Sequence, residues 1–171
     1  RTMRPTYMEI PTFETAKKIL PVPIWAGHEK EIEMYWKAWE IGVGNIRNPQ
    51  PGSGFVSPYI DTAYNGNIFM WDSAFILMFA RYGERFFPFQ KTLDNFYAKQ
   101  HPDGFICREI MANGADCFER YDPTSTGPNL LPWCEMIYYH QFGDTERLHK
   151  IFPALCGYYE WLRLNRTWRN G

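Results

Sequence analysis

Residues 74–80, Ala-Phe-Ile-Leu-Met-Phe-Ala, contain no polar position, and they follow closely on a polar, turn-forming stretch at residues 60–66, Ile-Asp-Thr-Ala-Tyr-Asn-Gly. A helix that is apolar on every side lies inside a structure rather than on it. The chain is therefore expected to be layered, with an inner helix from Trp71 to about Tyr82 that closes at Gly83 as C-cap. Asp72 falls in the first turn of that helix, where the macrodipole favours a carboxylate. Beside it, the Trp71 indole can stack on an apolar ligand face and donate one hydrogen bond. An aromatic ring and a carboxylate at a helix mouth suit a polyhydroxylated ligand. A core tryptophan next to a plain first-turn acid fits the same residues.

The rest of the chain supplies the layers. Residues 1–28 hold four prolines (Pro5, Pro11, Pro21 and Pro23) and one short helix-capable piece, Glu14 to Leu20, so they read as an extended arm. From Glu29 to about Ile46, the residues Ile32, Tyr35, Trp36, Trp39 and Val43 recur at helical spacing with Glu and Lys between them. Residues 48–58 are irregular by composition. Residues 87–99 place Phe89, Leu93, Phe96 and Tyr97 on one face and Lys91, Asp94 and Lys99 on the other, a surface helix. A turn at 101–104 leads into a short extended piece, Phe105 to Ile110, and then a loop to about Gly127. Loops of that length in a helical domain are usually functional or mobile. Residues 129–142 form another largely apolar helix ended by Gly143, and residues 145–166 show a 3/4 apolar pattern, with Pro153 either kinking that helix or marking its first turn.

Inner and outer helices thus alternate twice over residues 29–171. Concentric layers of helical hairpins produce this order and a simple four-helix bundle does not. The expected fold class is all-α, part of an (α/α)6 toroid of helical hairpins; about two and a half hairpins cannot close one. Such a partial toroid leaves a broad apolar face, which calls for the complementary half or a second copy as partner.

Charge is nearly balanced, with 18 basic and 19 acidic residues and no basic cluster. Nucleic acid and anionic membrane surfaces are poor partners for such a chain, and no apolar run approaches a membrane span. Aromatics make up 18% of residues. That load first builds helix interfaces and secondarily lines carbohydrate sites. Cys107, Cys117, Cys134 and Cys156 lack metal-ligand spacing and read as small buried hydrophobes, or as one disulfide such as Cys107 to Cys117. His28, His101, His140 and His149 show no paired metal spacing either. No motif requires a cofactor. The compartment stays open, with a periplasmic or extracellular location marginally preferred.

The densest polar set lies in the second loop: Asp103, Arg108, Glu109, Asn113, Asp116, Glu119, Arg120 and Asp122. Arg108 can fork two hydrogen bonds to vicinal hydroxyls or a carboxylate, and Glu109 can accept from hydroxyls or hold Arg108 in place. A solvated loop with local ion pairs accounts for the same composition.

Three stretches in order, Phe69-Met70-Trp71-Asp72-Ser73-Ala74-Phe75, Asp103-Gly104-Phe105-Ile106-Cys107-Arg108-Glu109 and Gly127-Pro128-Asn129-Leu130-Leu131-Pro132-Trp133, resemble the motif series of the six-hairpin (α/α)6 glycoside hydrolases. The similarity is nearest to processing α-glucosidase I and mannosylglycerate hydrolase-like enzymes, with trehalase more distant, and the chain looks like their amino-terminal portion. The resemblance implies that Trp71, Asp72, Arg108 and Glu109 contact an α-linked gluco- or manno-configured oligosaccharide, with Phe69 as a wall. Gly127-Pro128-Asn129 departs from the Pro-Pro of the family at that point. Those enzymes are inverting, with an acid and a base about 6.5–9.5 Å apart on opposite faces of the sugar. The resemblance puts both in segments beyond Gly171, so no catalytic residue is expected among these 171. A non-catalytic carbohydrate-binding protein and a purely structural helical domain remain the alternative readings.

Overall fold

The computed structural model describes residues 5–168 and residue 170. Among them are six α-helices and four two-residue strands: α1 (Phe13–Lys17), α2 (Glu29–Gly44), β1 (Ile46–Arg47), β2 (Tyr59–Ile60), β3 (Ile68–Phe69), α3 (Met70–Ala80), α4 (Thr92–Ala98), β4 (Glu109–Ile110), α5 (Leu131–Phe142) and α6 (Thr145–Asn165). The fold is mostly helical. β4 falls within the extended piece expected at Phe105 to Ile110, and the other strands were not expected: β1 pairs antiparallel with β2, Ile46 opposite Ile60, and β3 with β4, Ile68 opposite Ile110.

The proline-rich arm is packed onto the helices. Thr12 caps α1 by accepting from the Thr15 backbone N–H at 3.3 Å, and Ala16 and Leu20 are buried. The Phe13 ring meets Trp36 edge-on at 6.4 Å, and the Tyr35 hydroxyl donates to the Pro21 carbonyl at 2.6 Å. The α2 stripe of Trp39, Gly42 and Val43 is buried as its period requires, with Trp39 edge-on to Phe79 at 5.1 Å and to Phe86 at 6.1 Å.

Helix α3 buries Met70, Ser73, Ala74, Leu77 and Ala80, a single i, i+3, i+4 stripe. Its opposite side is open: Trp71 is 49% and Phe75 52% exposed. The expectation of burial on every side is thus corrected, because an apolar composition does not say which face the chain itself covers. Gly83 is not a left-handed cap. It ends a 3-10 turn (Arg81–Gly83), where a Cβ would lie 2.6 Å from the Phe86 ring and 2.9 Å from that of Trp39, so the position needs space.

The 87–99 segment forms a 3-10 turn at Phe89–Lys91 followed by the short α4. This supposed outer helix buries Asn95, whose side chain accepts from the Val56 and Ser57 N–H groups at 2.8 and 3.0 Å and so holds the 48–58 loop. Helix α5 carries Pro132 in its first turn and ends at Gly143, which is left-handed with φ 69° as a C-cap should be. Asp144 caps α6 by accepting from the Arg147 N–H at 2.9 Å, and the helix runs through Pro153 to Asn165.

A buried ionic knot joins α4, α5 and α6. Arg147 donates from Nη2 to Glu135 Oε1 and from Nε to Oε2, both at 2.7 Å, and from Nη1 to Asp94 at 2.9 Å. Tyr97 and Gln90 donate to the same Glu135 carboxylate at 2.8 and 3.0 Å. Burial opposes the Arg147 charge, and the Glu135 carboxylate outweighs it, so its proton is held more firmly than usual.

Candidate functional site

The β3–β4 ladder does what the sequence does not show: it fuses two motifs some forty positions apart. Phe69 stands opposite Glu109, and the Met70 N–H, at the start of α3, donates to the Arg108 carbonyl at 2.8 Å. The chain then returns, with the Cys117 N–H donating to the Glu109 carbonyl at 3.1 Å and an antiparallel bridge between Ile110 and Asp116. This hairpin sets Phe118 beside Arg108, whose guanidinium carbon lies 4.1 Å from the ring centroid. Arg108 Nε donates to the Thr124 carbonyl at 2.5 Å. One guanidinium face and one donor are thereby fixed, and among the described residues no carboxylate pairs with it.

Arg108, Phe69, Trp71 and Asp72 line one cavity of about 320 Å³. Gly127 and Pro128 of the third motif, with Thr124 and Thr126, form the facing wall. Three sequence-distant motifs therefore meet at a single concavity. Asp72 sits in the first turn of α3 and is exposed.

Glu109 is the exception among the five residues singled out. It does not line the cavity. Its Oε1 accepts from the Asn67 amide at 2.9 Å, while the Asn67 carbonyl accepts from the Ala112 N–H at 3.1 Å. The sequence assigns no role to Asn67, Phe118, Thr124 or Thr126. Asn67 stands two positions before Phe69 in the same stretch; the threonines carry no pattern at all.

The Asp-Gly turn of the second motif has a structural cause. Gly104 has φ +98°, and a Cβ there would lie 2.3 Å from the Gly157 carbonyl of α6. Only glycine lets this turn rest on that helix. Asp103 is an anchor, with Oδ2 accepting from Trp161 Nε1 and from Arg120 Nη1, both at 3.0 Å. His101 Nδ1 accepts from Arg120, which leaves its proton on Nε2, 2.7 Å from Asp116. Asp122 is held below the usual carboxylate range by the Thr124 backbone and hydroxyl donors. The local ion-pair reading holds for Asp103 with Arg120, Asp116 and Asp122 are taken up by local hydrogen bonds to His101 and Thr124, and Arg108 faces the cavity.

All four cysteines are free thiols, so the Cys107 to Cys117 disulfide is not formed. Burial pushes the Cys117 thiol up to about 11 and raises Cys107 as well, the opposite of an activated nucleophile. Among the described residues no group of His, Cys, Asp and Glu could hold a metal ion, and no helix is long and apolar enough to cross a membrane.

Comparison of the chain with protein-family models, with curated proteins and with solved structures gives no match in any of the three. The chemistry of the cavity has to speak for itself: an indole platform, a carboxylate acceptor and an anchored guanidinium within one concave site. This set can bind a polyol. Of the two carboxylates singled out, only Asp72 is in the lining, so the pair does not face across this cavity.

Proposed function

We propose that this cavity is the sugar-binding corner of an inverting (α/α)6 glycoside hydrolase acting on an α-linked gluco- or manno-configured oligosaccharide. In this reading the chain contributes substrate contacts, and residues outside these 171 contribute the general acid and base. One observation carries it: the three motifs that resemble the glycosidase series converge, in three dimensions, on the Trp71, Asp72 and Arg108 cavity. Trp71 stacks on a pyranose face, Asp72 accepts from hydroxyls, and Arg108 donates to them in fixed geometry. Asn67 positions Glu109 behind this first row.

The open aromatic edge supports the toroid. Phase by phase, Trp71 meets Phe75 at 6.2 Å and Phe75 meets Trp133 at 6.0 Å, so one file of rings runs outward across α3 and α5. Further helices, from the rest of a toroid or from a second copy, pack there. The rival reading as a structural helical domain explains the same rings and differs in one outcome, since it has no sugar affinity to lose.

Titration calorimetry with α-linked gluco- and manno-disaccharides tests the proposal. Saturable binding to the intact protein is expected, weakened about tenfold or more in Arg108→Ala, as for a lost charge-assisted donor. No saturable binding to any member of the panel, or Arg108→Ala binding like the parent, would refute it.

A further inference from the structure

Arg81 is the anomaly among the partly buried arginines. Arg147 meets two carboxylates, Arg120 meets Asp103, Arg108 has the Thr124 carbonyl, and Arg166 donates to four oxygen-bearing residues around residues 120–126. Arg81 has none of these. Among the described residues its Nε is buried without a partner, its Nη1 reaches only the Met78 sulfur at 3.9 Å, and its charge lies 5.5 Å from the Tyr82 ring centroid. A buried guanidinium nitrogen without an acceptor is costly. The α3 C-terminus next to it offers only a partial negative charge.

The side chain opens on a second cavity of about 540 Å³, well separated in sequence from the Trp71 site. Arg85 also lines it, and among the described residues neither arginine makes an ion pair. Gln141 adds amide donors, while Ile19, Pro21 and Phe142 supply an apolar side. Glu84 is the one carboxylate in the lining, and its Oε2 already accepts from the Gln90 N–H at 3.2 Å.

We propose that this cavity binds a small organic anion, its sulfonate, phosphate or carboxylate head on Arg81 and Arg85 and its apolar body against Ile19, Pro21 and Phe142. The anion satisfies the guanidinium that the described residues leave unpaired. Glu84 modulates it. Burial pushes that carboxyl up to about 7, against the Gln90 N–H and the charges of Arg147 and Lys91, and Tyr138 faces it from α5. Below that value the lining carries two positive charges and no negative one; above it, one negative charge opposes the ligand.

Calorimetric titration with benzenesulfonate, whose charge is constant across this range, tests the site. Saturable binding is expected, tighter than that of inorganic sulfate, and weaker above the Glu84 midpoint than below it. Arg81→Gln is expected to weaken binding about tenfold or more, the loss of a charge-assisted pair. Because Arg81 is partly buried, Ile19→Glu provides a second variant at a half-exposed position. It sets a carboxylate against the anion and is expected to abolish binding with folding intact. Glu84→Gln is expected to bind and to lose the pH dependence, and Arg163→Gln, on the exposed side of α6, to bind like the parent. Absence of saturable binding, equal affinity for inorganic sulfate, or Ile19→Glu binding like the parent would each overturn the assignment.

Discussion

Replacing Arg147 by Met tests whether the ionic knot holds the helical layers together. The side chains of Arg147 and Glu135 are 9% and 1% exposed, and two 2.7 Å hydrogen bonds join them. Removing the arginine leaves Glu135 in the interior with only the Tyr97 hydroxyl and the Gln90 amide as donors, and leaves Asp94 unpaired. A buried pair broken from one side costs about 3–5 kcal/mol. The methionine fills part of the volume, so most of that cost is the stranded carboxylate. Urea unfolding followed by tryptophan fluorescence reads the loss as a shift in midpoint at constant slope. Adding Glu135→Met to Arg147→Met should cost less than the sum of the two single changes by at least about 2 kcal/mol, because the more deeply buried of the two stranded carboxylates, Glu135, is gone and only Asp94 is left unpaired. A cost below about 1 kcal/mol for Arg147→Met, or strict additivity in the cycle, would refute the reasoning. The consequence reaches the site, since α5 carries Trp133 and follows directly on the Gly127-Pro128 wall.

Two further outcomes follow from single residues. Glu84 binds its proton more tightly in the folded chain, with a value of about 7 against 4.5 for the free group. Its contribution is fully present below 4.5 and is lost as pH rises through about 7, up to about 3 kcal/mol at 1.36 kcal/mol per unit. The difference in stability between Glu84→Gln and the parent, measured by urea unfolding across that window, should therefore move in favour of the variant as pH rises; a constant difference would count against it. Gly104→Ala should destabilise by at least about 2 kcal/mol more than Gly143→Ala, because both glycines are left-handed but only Gly104 has a backbone carbonyl in the way. Thermal unfolding of the two variants compares them directly, and equal losses would show that α6 yields to the new methyl group.

Helices α2 and α6 were legible because sixteen and twenty-one residues of period 3.6 repeat their signal many times. Gly143 was legible as a cap for a local reason, since the left-handed turn belongs to the residue itself. Gly83 was not, because its requirement comes from Phe86 and Trp39 approaching in space. The ladders were invisible for a similar reason: two-residue strands are too short to alternate, yet β3 and β4 bring Phe69 and Arg108 to one cavity. The candidate site was readable as residue chemistry, Trp71 and Asp72 at a helix mouth and Arg108 in a polar loop, and not as geometry. Glu109 shows the limit, because adjacency to Arg108 in the chain sends its side chain to Asn67 instead of the cavity.

The apolar run in α3 has the same lesson in thermodynamic form. Apolar side chains on a helix report that a surface needs cover, whatever supplies it. On one side Met70, Ala74 and Leu77 obtain that cover from the chain's own core. On the other, Trp71, Phe75 and Trp133 are each between 42% and 52% exposed and meet edge-on in file. Three large rings side by side make a contiguous patch rather than scattered apolar residues, and patches of that kind mark ligand or partner surfaces. Trp71 opens on the candidate cavity, while Phe75 and Trp133 lie beyond its lining. The division assigns the first ring to a ligand and the other two to a packing partner: in the proposed reading, Trp71→Ala lowers sugar affinity, and Phe75→Ser with Trp133→Ser leaves it in place while reducing self-association.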